Sequence, residues 1–302
     1  MNTQPKAYAA VFLSTLIWGL SFISTKIVLE TFTVFSYIFA RFLLASVIFS
    51  FFLLKRGVPR LERKTVVKML VLALLQPFGY FLFETLGLKY SGATKVSLLI
   101  ALIPVVVAGT SQMILKESIR RKAAIGITCS IAGVSLLVIG GPEGLQSLSG
   151  TLKGDIFVLL AVLSGSFYMI LTRDISKKLS AFYITVFQMF LGTLFFLPFF
   201  LADLPNVQWL TISPLSALGV VYNSLFGTIV AFLCYNYALS HLNASTVAVY
   251  INCIPIITAL GAWFLLGEVL TPLQMVGGAA VLLSVILTTS GTKKPATPLV
   301  RS

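Results

Sequence analysis

The sequence predicts an all-α polytopic membrane protein with ten transmembrane helices, arranged as two inverted five-helix repeats. Three observations predict this fold: the composition, ten apolar windows of membrane-spanning length, and an internal repeat. Of the 302 residues, 58% are hydrophobic and only 10% are charged, whereas soluble domains carry roughly 25% charged residues. So few charges could not cover a water-facing surface, so the composition excludes a soluble globular protein.

The apolar windows give the order of the predicted helices. A bilayer core about 30 Å thick needs roughly 20 apolar residues for each spanning helix. Ten such windows fit the chain, at residues 8–29, 34–54, 66–88, 91–115, 123–140, 154–174, 181–202, 214–239, 244–267 and 273–291. The first window lacks a small-residue cleavage site, so it is interpreted as a helix and not as a signal peptide.

The basic residues predict the orientation of these helices. If the N-terminus is cytoplasmic, seventeen of the 22 Lys and Arg residues lie on the inner side and two, Lys89 and Lys153, lie in outer loops. Lys and Arg in short loops set membrane orientation. The sequence therefore predicts a multi-pass protein of the cytoplasmic membrane with both termini in the cytoplasm. The same excess of Lys and Arg on the inner side accounts for the net charge of +13, so the charge does not require binding to nucleic acid.

An internal repeat divides the chain into two halves. Shifting the sequence by 151 residues aligns Leu88–Gly140 with Leu239–Gly291 without a gap, and the matched pairs include Pro, Glu and Gly residues. Each half holds five predicted helices, an odd number, so the second half must enter the membrane from the opposite side. Inverted repeats of this kind occur in secondary transporters, with the substrate site near the midplane. The predicted units are 1–145, 146–291 and a cytoplasmic tail, 292–302.

Several of these residues also carry a family resemblance. Trp18-Gly19, Arg41-Phe42 and the duplicated Ile-Pro to Leu-x-Glu pattern at Ile103-Pro104 and Ile254-Pro255 resemble the EamA family of the drug/metabolite transporter superfamily. The resemblance implies five plus five helices around a central cavity, and transport of small metabolites, commonly export. It also implies that the predicted helices 1, 3, 4, 6, 8 and 9 line the cavity.

Two prolines lie near the middle of the fourth and ninth predicted helices. Pro104 and Pro255 each remove a backbone donor and displace the carbonyl four residues earlier. Such a carbonyl is tolerated within a membrane where it is buried in protein or lines a wet cavity. The pair is therefore expected to kink two helices beside the cavity and to act as hinges. Near the second kink, the amide of Asn252 is the polar contact to substrate expected from the second half.

The third predicted helix has a polar stripe on one face. Gln76, Tyr80 and Glu84 are spaced by four residues, and a carboxylate inside a membrane is costly and usually faces the protein interior. Glu84 is expected to exchange a proton or to hold a substrate ammonium. A structural ion pair or an interfacial position is the alternative.

Further residues complete the expected cavity wall. Lys95 and Arg41 are the possible partners of Glu84 and could meet a substrate carboxylate. Trp18, Tyr168, Gln188, Asn223 and Tyr235 are the remaining candidates, although aromatic packing would explain the rings equally well. The partners expected are a small-molecule substrate, the lipid bilayer and, if transport is coupled, protons.

These patterns predict a secondary transporter that exports small metabolites, such as amino acids, by alternating access. Two alternatives remain open at this stage: a facilitative permease without coupling, and a membrane-embedded enzyme acting on lipid or peptide. An enzyme needs a nucleophile–base pair or a metal cluster, and His241, the one histidine, lies in a predicted cytoplasmic turn. No catalytic residue, metal or cofactor is therefore expected.

Overall fold

The computed structural model describes residues 4–90, 96, 99–115, 121–140, 151–266 and 271–289. The regular structure within these residues consists of helices, without a strand. The helices of the first half are α1 (Gln4–Val28), α2 (Val34–Arg56), α3 (Arg63–Ala73), α4 (Tyr80–Tyr90), α5 (Ile103–Ile114) and α6 (Arg121–Ile139). Those of the second half are α7 (Leu152–Ile175), α8 (Ala181–Asp203), α9 (Pro214–Tyr222), α10 (Ala231–His241), α11 (Ala244–Ile251), α12 (Ile254–Leu266) and α13 (Pro272–Thr289).

Seven helical stretches within the described residues are long and apolar enough to cross a membrane. They are Gln4–Thr25, Val34–Arg56, Arg63–Gly87, Leu152–Ile175, Ala181–Asn206, Pro214–His241 and Ala244–Gly261. Three shorter apolar helices, Ile103–Ile114, Ala124–Ile139 and Pro272–Leu287, lie in the remaining predicted windows. The chain is therefore an all-helical membrane protein.

Local sequence explains where several helices begin and end. The Thr33 side chain accepts a hydrogen bond from the Ser36 amide and caps the start of α2, and Thr151 caps α7 in the same way. These side chains satisfy amides that the first helical turn leaves free. At the end of α2, Gly57 adopts a φ of 74°, a left-handed conformation that glycine reaches without a steric penalty.

The third helix of each half is interrupted at the same relative place. A π-helical segment, Leu74–Gly79, joins α3 to α4, and a second one, Asn223–Val230, joins α9 to α10. Moved by 151 residues, the first segment falls inside the second. In the first segment Gln76 leaves the helical conformation, with φ −151° and ψ 124°, and the Gln76–Pro77 peptide bond is cis.

The fourth helix of each half is interrupted just before its proline. α11 ends at Ile251, and α12 begins at Ile254 after the two-residue turn 252–253. In the first half a matching turn at 101–102 precedes α5, which begins at Ile103. Pro104 is buried and Pro255 is partly buried. Each proline therefore lies in the first turn of a new helix, where its missing amide removes no helical hydrogen bond.

Corresponding helices of the two halves pack against each other. α6 and α13 make the closest approach: a Cβ added to Gly277 would lie 2.5 Å from the Leu137 nitrogen and 2.6 Å from the Gly133 oxygen. Further along, Gly140 adjoins the nitrogen of Gln274. Higher numbers on α6 thus face lower numbers on α13, so the two helices are antiparallel.

The second helices of the two halves, α2 and α8, also form an antiparallel pair. Phe39 stacks on Phe200 with ring centroids 4.4 Å apart, and the hydroxyl groups of Ser46 and Thr193 lie 3.0 Å apart. Aromatic pairs of this kind stabilise a contact beyond their buried area. The pair holds α2 beside the interrupted helices at the centre of the bundle.

Candidate functional site

A polar cluster surrounds the two π-helical segments. Within a bilayer each unpaired backbone group costs several kcal/mol, so the interrupted helices need donors from their neighbours. Arg41 on α2 and Gln188 on α8 supply such donors, one to each segment. The candidate site is built around these two contacts.

Arg41 is buried and binds the segment of the second half. Its Nε donates to the Thr228 Oγ1 at 2.6 Å, and its Nη2 donates to the Gly227 oxygen at 3.3 Å. The guanidinium also lies 5.3 Å from the centre of the Phe81 ring, close enough for a cation–π contact. The side chain is 6% exposed, and it forms no ion pair within the described part of the chain. Arg41 is therefore a buried cation held by neutral groups.

Gln188 binds the segment of the first half within a neutral network. Its Nε2 donates to the Gln76 oxygen at 3.1 Å, and its Oε1 accepts from the Asn236 Nδ2 at 2.8 Å. Asn236 also donates to the Thr185 Oγ1 at 2.9 Å and accepts from the Tyr168 hydroxyl at 2.6 Å. These side chains lie in the interior, where their hydrogen bonds replace those that water would make.

The two contacts occupy matching positions. Gly227 follows Gln76 by 151 residues, the offset of the internal repeat. Each carbonyl is therefore bound by a side chain from the second helix of the other half, by Arg41 in one case and by Gln188 in the other. The contacts connect the two halves twice, once with a charged donor and once with a neutral one.

Glu84 lies on α4, next to the segment of the first half. Its Oε1 accepts a hydrogen bond of 3.2 Å from the Tyr80 hydroxyl. The Arg41 guanidinium lies 5.3 Å from the ring centre of Phe81, which is three residues before Glu84 and therefore on the same side of α4. Glu84 and Tyr80 are both partly buried. The side chains of Tyr80 and Glu84 thus contact each other, whereas Gln76 takes part through its backbone oxygen, which binds Gln188. Lys95, the other expected partner of Glu84, lies outside the described residues.

Aromatic side chains pack beside Arg41 and the carbonyl of Gly227. The Trp18 indole donates to the Gly227 oxygen at 2.9 Å, and its ring lies 5.0 Å from the ring of Tyr235. Tyr235 stacks in turn on Tyr168. Trp18 remains partly exposed, whereas Tyr235 and Tyr168 are buried. Tyr235 and Tyr168 therefore pack beneath the partly exposed residues of the candidate site.

The two candidate asparagines make contacts within the protein. The Asn223 Nδ2 donates to the Ser24 Oγ at 3.0 Å, while its buried Oδ1 has no hydrogen-bond partner in the described part of the chain. The Asn252 Nδ2 donates to the Ser130 Oγ at 2.8 Å and lies 3.5 Å from the Ala101 oxygen. In this conformation the Asn252 amide joins the helix breaks of the two halves, so it is not directed at an open surface.

The candidates thus fall into two groups. Trp18, Tyr80 and Glu84 are partly exposed and adjoin Arg41, whereas the other described polar candidates are buried in protein–protein contacts. The sequence interpretation missed Thr228 as a partner of Arg41, and it missed the two backbone carbonyls as acceptors. Pro77 inside an apolar window is the signal that marks the first interruption.

No group of three or more His, Cys, Asp and Glu side chains that could hold a metal ion occurs within the described ranges. The ionic contacts at the protein surface connect helix ends: Lys68 and Lys177 pair with Asp174, and Lys178 pairs with Glu62. Such exposed pairs contribute little to stability.

Comparison with known proteins identifies the family. The profile of the EamA-like transporter family matches residues 5–139 and again residues 152–290. An uncharacterized transporter of Archaeoglobus fulgidus is 32% identical over 94% of this chain and 98% of its own length. The uncharacterized transporter YetK of Bacillus subtilis is 26% identical over 98% of this chain and 90% of its own.

Two further matches concern activity and fold. A protein of Streptantibioticus cattleyicolor named "Probable terminal-alkyne amino-acid exporter" is 24% identical, over 93% of each chain. One solved crystal structure superposes with a TM-score of 0.81 at 16% identity, covering 95% of this chain and 97% of that one. Two profile matches along one chain agree with two repeats of helices. The chain is therefore a member of the EamA-like transporter family.

Proposed function

We propose that this protein is a secondary transporter that exports small zwitterionic metabolites, such as amino acids, across the cytoplasmic membrane by alternating access. The observation that carries the proposal is the juxtaposition of a buried guanidinium, Arg41, and a partly exposed carboxylate, Glu84, deep in an apolar helical bundle. An amino acid carries one charge of each sign. Its carboxylate would approach Arg41 and its ammonium would approach Glu84.

The antiparallel packing of corresponding helices supports two inverted halves of five spans each. Antiparallel contact between α6 and α13, and between α2 and α8, is what a two-fold axis in the membrane plane requires. The paired contacts of Arg41 and Gln188 follow the same symmetry. We propose unit boundaries at 1–145 and 146–291, with both termini and the tail, 292–302, in the cytoplasm.

The residues proposed to face the substrate are Trp18, Arg41, Tyr80 and Glu84. Gln76, Tyr168, Gln188, Asn223, Tyr235 and Asn252 are proposed to support these four or to become accessible as the halves rock, and Lys95 is retained as a proposed partner of Glu84. The helix breaks before Pro104 and Pro255 would be the hinges, because the turns 101–102 and 252–253 interrupt the regular α-helix there.

Two modes of transport fit this site. Glu84 could exchange a proton with the substrate in each cycle, or it could bind the substrate ammonium in a facilitative permease. One charge moving through 100 mV yields about 2.3 kcal/mol. Coupling would therefore support accumulation, whereas a facilitative permease would only equilibrate its substrate.

The direct test is transport by purified protein reconstituted into liposomes. A panel of amino acids is offered with and without an imposed pH gradient, and protein-free vesicles are the control. We expect flux of at least one amino acid, and flux that follows the gradient would indicate proton coupling. Conversion of a lipid or peptide without any vectorial flux would instead support a membrane-embedded enzyme.

A second test concerns Glu84. We expect Glu84→Gln to reduce transport about 100-fold, as loss of a buried charge partner does in other recognition sites. Glu62→Gln, which removes an exposed carboxylate on the loop after α2, is the matched control and should transport normally. A Glu84→Gln protein with wild-type flux and the same pH dependence would contradict the proposed role.

The orientation can be tested with single cysteines in a cysteine-free background. A cysteine at Lys55 should react with a membrane-impermeant maleimide only after the membrane is permeabilised, whereas one at Gln208 should react in intact cells. Both side chains are exposed at helix ends. The reverse pattern would place the termini outside.

A further inference from the structure

The ring of Tyr80 lies directly against a glycine of α7. A Cβ added to Gly165 would lie 3.0 Å from the Tyr80 Cδ2 and 3.3 Å from its Cε2. Next to it, the Ser164 Oγ donates to the Leu75 oxygen at 2.7 Å. Two small residues of α7 thus let the first π-helical segment, and the tyrosine that follows it, come close.

The second π-helical segment is approached by a larger side chain. Trp18 of α1 donates to the Gly227 oxygen, as Ser164 of α7 donates to a carbonyl of the first segment. The Trp18 ring packs against the rings of Phe232 and Tyr235 on α10, whereas α7 presents Gly165 to the Tyr80 ring. The residue 151 positions after Tyr80 is Ala231, so the second half has no ring at this position.

The glycines beside these residues support the correspondence. A Cβ on Gly19 would lie 2.5 Å from the Ile257 side chain and 3.3 Å from the Ile254 oxygen. A Cβ on Gly165 would lie 3.7 Å from the Ile103 side chain. Ile254 follows Ile103 by 151 residues. Both glycines therefore face the helix break of the other half.

The position of the Tyr80 ring has a consequence for Glu84. Because the ring is carried by α4, its hydroxyl lies one helical turn before Glu84 and donates to it. In the other half the matching positions hold Ala231 and Tyr235, without a carboxylate. The interaction that fixes Glu84 therefore exists only where α7 leaves room for the Tyr80 ring.

We infer that Gly165 is a positioning residue of the substrate site, acting on Glu84 through the ring and hydroxyl of Tyr80. This inference rests on the proposed role of Glu84 in transport. The hydrogen bond of 3.2 Å is already at the long end of the usual range. A methyl group at residue 165 displaces the ring by a few tenths of an ångström and breaks this bond. Arg41 and Tyr235 also adjoin this region, and neither contacts Gly165.

The test is a double-mutant cycle in the liposome assay, using Gly165→Ala, Tyr80→Phe and the double variant. We expect each single variant to lower Vmax/KM about fivefold, the value of one ordinary hydrogen bond. The double variant should be no worse than Tyr80→Phe, because both changes remove the same interaction. Gly109→Ala is the matched control, since a Cβ there meets no atom within 4 Å.

The outcomes separate this inference from the proposed function. Additive losses, or a Gly165→Ala protein with wild-type kinetics, would overturn the inference while leaving Glu84 essential. Normal transport by Glu84→Gln would instead remove the proposed function on which the inference rests.

A second pair of variants covers misfolding of Gly165→Ala. Tyr80→Ala removes the ring that a methyl group at residue 165 would meet, so Gly165→Ala combined with Tyr80→Ala should fold. We expect this double variant to transport like Tyr80→Ala alone. A further loss relative to Tyr80→Ala would overturn the inference.

Discussion

The two interrupted third helices have similar frameworks but different chemistry. In the second half the Gly227 carbonyl is bound by the charged side chain of Arg41, and in the first half the Gln76 carbonyl is bound by the neutral side chain of Gln188. The neutral contact continues into a buried network with Asn236, whereas Arg41 also lies against α4, the helix that carries the partly exposed Glu84. One donor therefore has only buried neutral partners, and the other also lies beside the carboxylate that we propose binds substrate.

This difference suggests how a duplicated scaffold acquires a specific site. A broken helix in a membrane needs a donor for its free carbonyl, and an amide is sufficient for that purpose. A guanidinium is more costly to bury, so its presence at one of two matching positions indicates a further role. The predictions below change one contact or the other.

The largest effect on transport is expected from Arg41→Gln, which makes both donors neutral. The glutamine amide nitrogen takes the place of the Arg41 Nε and can donate to Thr228, while the Trp18 indole still donates to the Gly227 carbonyl, so the fold should persist. The cation proposed to pair with a substrate carboxylate is lost, and we expect Vmax/KM to fall about 100-fold. Flux in liposomes and thermal unfolding in detergent measure the two properties separately.

Arg41→Lys is the informative companion of that variant. It keeps the charge but loses the fork of donors that reaches Thr228 and Gly227 together. We expect at most a small recovery of flux. A lysine variant with wild-type flux would mean that the charge alone matters, and would weaken the comparison between the two contacts.

The opposite pattern is expected for Gln188→Ala. This change removes the donor of the Gln76 carbonyl, whereas the Asn236 amide keeps its hydrogen bond to Thr185. One buried group left without a partner costs about 1–3 kcal/mol. The free energy of unfolding, measured by denaturant titration in micelles, should fall by that order. Transport per folded molecule should stay within about threefold of the wild type. A variant that is stable but inactive would place substrate at Gln188 as well.

The sequence predicts much of this framework. The composition gives the membrane class, and helices occupy the described parts of the predicted windows. Pro104 and Pro255 mark the two breaks in the fourth helices, because proline fits the first turn of a helix, where no amide donor is needed. Glu84 and Tyr80 are found by their spacing of four residues, which places them on one face.

The partners of Arg41 and Gln188 could not be predicted in this way. Both acceptors are backbone carbonyls, and every residue has one, so no residue type marks them. Their availability depends on where a π-helical segment falls. Gly227 lies in a segment without proline, so only the repeat offset from Gln76 could indicate it. The partial exposure of Glu84 depends in turn on how the halves are packed, which residue spacing along one helix does not determine.

The smallest effect on stability is expected in the neutral network around Gln188. Tyr168→Phe removes the hydroxyl that donates to Asn236 at 2.6 Å, while the ring keeps its stack on Tyr235. A typical hydrogen bond contributes about 1 kcal/mol to stability, so the free energy of unfolding should fall by that amount and flux should be unchanged. Tyr222→Phe is the control, because the Tyr222 hydroxyl makes no hydrogen bond in the described part of the chain. A Tyr168→Phe protein that loses flux while keeping its stability would show that the neutral network takes part in transport. The contacts of Arg41 and Gln188 would then be more alike than their charges indicate.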